Sequence, residues 1–122
     1  MLHDTEIPNN IVMSTNVFLV LTEIDDDPRL TDEEKSELEN FEYVTTQEEE
    51  TDIEHGTWFE TLIVKNKIND ALYGLTIERN LHIDIEEFSK DSVELSLMYP
   101  ATKIVYDYVE DLYVAEPIEA IV

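Results

Sequence analysis

Leu81-His82-Ile83-Asp84-Ile85-Glu86-Glu87-Phe88-Ser89-Lys90-Asp91-Ser92-Val93-Glu94-Leu95-Ser96-Leu97-Met98-Tyr99 is the stretch that decides the fold class. At its start Leu81, Ile83 and Ile85 alternate with His82, Asp84 and Glu86; at its end Val93, Leu95, Leu97 and Tyr99 alternate with Glu94, Ser96 and Met98. A period of two is that of a strand with one buried face. The short link from Glu87 to Asp91 joins the two runs as a hairpin, and hairpins build antiparallel sheets.

Working back toward the N-terminus, Thr57 to Lys65 holds Trp58, Phe59, Leu62, Ile63 and Val64 and reads as a well-buried strand. Asn16 to Ile24, rich in β-branched and aromatic residues, reads the same way, and Asp25-Asp26-Asp27-Pro28 breaks it. A helix is expected from about Thr31 to Phe41, because Thr31 and Glu34 have the spacing of a capping box. Asp32, Glu33 and Glu34 then fall in its first turn, where the helix dipole favours negative charge. Tyr43 to Thr46 suggests a short strand and Gln47 to Gly56 a polar loop.

Ile68, Ala71, Leu72 and Leu75 recur at helical spacing and predict a second helix, weakened by Gly74. Pro100 suits a helix start, and a third helix burying Ala101, Ile104, Val105, Tyr108, Val109 and Leu112 is expected before Pro117. The predicted order is β-α-β-β-α-β-β-α. It gives a single α+β domain over residues 1–122, mainly an antiparallel sheet of about five strands with two or three helices on one face.

Composition narrows function further. The 122 residues include 30 Asp or Glu against seven Lys or Arg, a formal charge of −23, yet 43% are hydrophobic. Disordered acidic chains lack that apolar content, so a folded body is expected. Residues 21–60 hold 16 acids against two bases, whereas residues 61–105 hold seven against five and residues 106–122 hold five against none. General solvation does not require such clustering.

The chain has no cysteine, which removes disulfides, thiolate metal sites and cysteine nucleophiles. Gly56 and Gly74 are the only glycines, too few for a phosphate-cradling loop. His3, His55 and His82 have acidic neighbours, as almost any histidine here must, and Asp25 to Arg29 lacks the glycine and ligand spacing of a calcium loop. No nucleophile, base and oxyanion donor assemble from the residues present, so no enzyme, cofactor or dedicated metal site is expected. The N-terminus lacks a basic signal-type region and the longest apolar run is too short to span a bilayer, so the default expectation is a cytoplasmic protein.

The remaining chemistry is charge. A body this acidic is repelled by nucleic acid and anionic membranes and attracted to cationic surfaces. Carboxylates held in a fixed array can stand in for phosphates in a basic cleft, which is the strategy expected of an anti-restriction or anti-CRISPR type of phage protein. The expected contacts are Asp25, Asp26 and Asp27, then Asp32, Glu33 and Glu37 on the helix, Glu48, Glu49, Glu50 and Asp52 beyond it, and Asp107, Glu110 and Asp111 near the C-terminus. The expected partner is a basic DNA- or RNA-binding protein. Competing readings are an immunity protein against a basic nuclease toxin, and a viral structural or assembly protein whose acids merely solubilise it. In the last case the apolar tail Ile118 to Val122 could pair as a strand edge and form a homo-oligomer.

Overall fold

A computed structural model describes residues 7–25, 29–52, 57–80, 86–105 and 108–115. Within them the chain forms β1 (Asn10–Ser14), α1 (Thr15–Leu21), α2 (Asp32–Glu39), β2 (Phe41–Asp52), β3 (Thr57–Asn66), β4 (Leu72–Asn80), a short 3-10 turn (Glu86–Ser89), β5 (Ser92–Val105) and β6 (Tyr108–Val114). All strand pairings are antiparallel, in the order β1-β5-β4-β3-β2, with β6 paired to the distal half of β5. The α+β class therefore stands, with six strands and two α-helices among the described residues.

Residues paired across strands share a face. One row joins Thr46 to Leu62 and Leu62 to Leu75; next to it Tyr43 meets Val64, Val64 meets Tyr73, and Tyr73 meets Leu97. This face carries the main core, where Met13, Leu62, Val64, Tyr73, Ile77, Val93 and Leu95 pack against Val17 and Phe18 of α1. Leu30 and Leu38 bring α2 onto the same cluster. The Tyr73 ring is fully buried, its hydroxyl donates to the Pro8 carbonyl at 2.9 Å, and burial pushes its pKa up.

The opposite face is covered too, at least in its middle. Thr45, Ile63, Gly74 and Ser96 form one cross-strand row there, and Ile63 is fully buried. Gln47, also on this face through its pairing with Thr61, donates from Nε2 to the Tyr113 carbonyl at 3.1 Å and accepts the Tyr113 N–H. Since β4 and β3 lie between β5 and β2, that bond requires the β5–β6 arm to fold back across the sheet.

Four sequence expectations are corrected. Asn16–Ile24 is not a strand: β1 ends at Ser14 and α1 follows. Thr15 anchors the change of direction, its N–H donating to the Asp91 carbonyl at 3.0 Å and its hydroxyl to the Lys90 carbonyl at 2.6 Å. Helical geometry then brings Val17, Phe18 and Leu21 to one side, and their burial overrides their strand propensity. The helix closes in a Schellman motif, in which Ile24 N–H donates to the Leu19 carbonyl at 3.0 Å and Glu23 N–H to the Val20 carbonyl at 3.2 Å. Glu23 adopts the left-handed conformation the motif requires, with φ of 62°.

Residues 47–52 are not loop but the second half of β2, pairing with Thr57 to Thr61. They are polar because β2 borders the sheet. The helix expected around 68–75 is a hairpin. Ile68 is exposed at the turn, Asp70 turns left-handed with φ of 62°, and Asn66 and Asn69 side chains accept the N–H groups of Ile68 and Ala71 at 2.9 Å each. The helix expected after Pro100 is the β5–β6 arm. Proline is tolerated because Pro100 sits past the last β4 pairing, at Met98, where β5 leaves its neighbour.

The helix expected at 31–41 is present as α2, with both halves of the capping box formed. The strand at 57–65 is present as β3, and that at 93–99 lies within β5. The strand expected at 81–85 and the tail 118–122 lie outside the described residues.

Candidate acidic interaction surface

The most acidic part of the sequence folds into two consecutive elements. Helix α2 runs through Asn40 directly into β2, which ends the strand order and pairs with β3 alone among the described strands. The acids of β2 thus follow one border of the sheet, while those of α2 precede them on a helix bonded to Ser14 of β1.

The faces of α2 divide its carboxylates by task. Asp32, Glu33 and Glu39 are exposed. Glu34 and Glu37 turn inward to the β1–α1 junction. Glu37 Oε1 accepts the Ser14 N–H at 3.0 Å, while Glu34 accepts the Ser14 hydroxyl and, at 2.9 Å, the Thr31 N–H. The Ser14 hydroxyl, followed by the Thr31 backbone, holds the Glu34 carboxyl below the usual carboxylate range. Two negative groups therefore meet the start of α1, which has no acid of its own in its first turn. This accounts for a helix that buries no residue fully: its inner carboxylates attach it to the β1–α1 junction.

Along β2, Glu42 lies opposite Lys65 and Glu48 opposite Glu60. Glu48 is exposed, but Glu60 is held, accepting the Trp58 Nε1–H at 2.9 Å and pairing with Arg79 at 3.6 Å. That engagement offsets the repulsion of two like charges directly across the strands. Glu49, Glu50 and Asp52 occupy the remaining acidic register positions, opposite Phe59, Trp58 and Thr57.

Of the other expected contacts, Asp25 is exposed and its N–H donates to the Leu19 carbonyl at 3.2 Å, while Asp111 is exposed on β6 opposite Thr102. Glu110 lies on β6 opposite Lys103. Asp26, Asp27 and Asp107 lie outside the described residues. The fold thus carries 32–52 on two consecutive elements, α2 against the β1–α1 junction and β2 at the sheet border, and sets Glu110 and Asp111 on the β5–β6 arm. Glu39 and Glu42, absent from the set expected from sequence, are exposed at the end of α2 and near the start of β2.

Among the described residues, no cluster of three or more His, Cys, Asp or Glu is placed to hold a metal ion, and no helix is long and apolar enough to cross a membrane. Open hollows lie over the arm, between Pro100–Thr102 and Asp111–Tyr113, and near Val12, Leu75 and Val93. Neither gathers a set of convergent polar groups of the kind that fixes a small ligand. No family model, curated protein or solved structure matches the chain.

Proposed function

We propose that this chain is an acidic protein inhibitor that occupies the nucleic-acid-binding surface of a basic partner. The observation that carries the reading is the acidic run from Asp32 to Asp52, carried on a capped helix and on the border strand that follows it. Glu42 and Glu48 of β2 are exposed along this border, and the strand holds them at a fixed separation, with a rise of about 3.3–3.4 Å per residue. A cationic groove meeting this border gains ion pairs and loses its own counterions.

The charge is fixed rather than diffuse. Exposed Asp32, Glu33, Glu39, Glu42 and Glu48 stand outside the hydrogen bonds that hold α2 and β3 in place, while Glu34, Glu37 and Glu60 make those bonds. Substituting the exposed group by amides therefore separates recognition from folding.

The test is affinity capture from a bacterial lysate at low and high salt, followed by competition with DNA and RNA. The expected result is one basic nucleic-acid-binding protein, released by rising salt and displaced by nucleic acid. The triple variant D32N/E33Q/E48Q should stay folded by circular dichroism and lose capture. A partner that holds nucleic acid and this protein together without mutual weakening would refute cleft occupation. Retention of full binding by the amide variant would refute the charge argument itself.

A further inference from the structure

We draw no further inference here: the strongest candidate, the outer edge of border strand β2 with Glu42 and Glu48 exposed along it, is an acidic row with no second observation that points to a ligand, and nothing in the described residues shows what covers that edge.

Discussion

Replacing Gly74 by alanine separates two structures that the sequence permits. In a helix spanning 68–75, Gly74→Ala would add about 1 kcal/mol of stability. In the sheet, the same methyl group enters the covered far face. Its carbon would lie 3.0 Å from Ile63 Cδ1, 3.0 Å from Met98 Cγ and 3.2 Å from Met98 Sδ. The backbone gain of about 0.5–1 kcal/mol is then opposed by about 1–3 kcal/mol of overpacking, because Ile63 is fully buried and Met98 is 8% exposed. The net expectation is a loss of up to about 2.5 kcal/mol, or a melting temperature lower by up to about 10 °C. Ile63→Val removes the Cδ1 atom that would be struck, and alone should cost about 0.5–1.5 kcal/mol. Combined, the two substitutions should cost about 0.5–1 kcal/mol less than their sum. Urea melts of the four proteins followed by circular dichroism measure all three quantities. A stabilised Gly74→Ala variant, or strict additivity with Ile63→Val, would refute the packing described for this face.

Glu23 in the Schellman motif bears the cost of a left-handed side-chain residue, so Glu23→Gly should stabilise the protein by up to about 1 kcal/mol in the same melts. Gln47→Ala removes both bonds to Tyr113; amide exchange at Tyr113 should quicken and stability fall by about 1–3 kcal/mol, whereas unchanged exchange would place the arm elsewhere. Glu34 titrates below its reference value of 4.5 when folded, so its stabilising effect is complete above that pH and is lost as pH falls through the folded pKa. The stability difference between wild type and Glu34→Gln should therefore shrink on acidification below 4.5, and a constant difference down to pH 3 would remove Glu34 from the acid response.

How far the sequence was legible depended on whether the signal was local. The capping box at Thr31 and Glu34 specifies α2 within four residues, and the dense run Trp58 to Val64 specifies β3. Ile68, Ala71, Leu72 and Leu75 mislead because a turn-tip residue followed by a strand buried on both faces reproduces helical spacing. Tyr73, whose burial belongs to the sheet, breaks that stripe. The segment after Pro100 misleads likewise, since proline serves a helix start and a departing strand equally well. For α1 the deciding groups are the carbonyls of Lys90 and Asp91 and the carboxylates of Glu34 and Glu37, distant in sequence from Ser14 and Thr15. The acidic surface was visible as composition. Its division into bonding and outward-facing carboxylates emerged only when α2 was placed against β1.

The β4–β5 seam, three residue pairs long where β3–β4 has nine, has a consequence for synthesis. Strands β2, β3 and β4 form a meander that can zip up as it leaves the ribosome, whereas β1 must wait for β5, about 80 residues later and thus some 4–16 s at ordinary elongation rates. Throughout that interval Ile11, Met13, Val17 and Phe18 have no β5 to cover them, on nascent chains crowded along one messenger. The acids emerging between them supply mutual repulsion during that wait, so the same carboxylates that define the mature surface also guard its assembly.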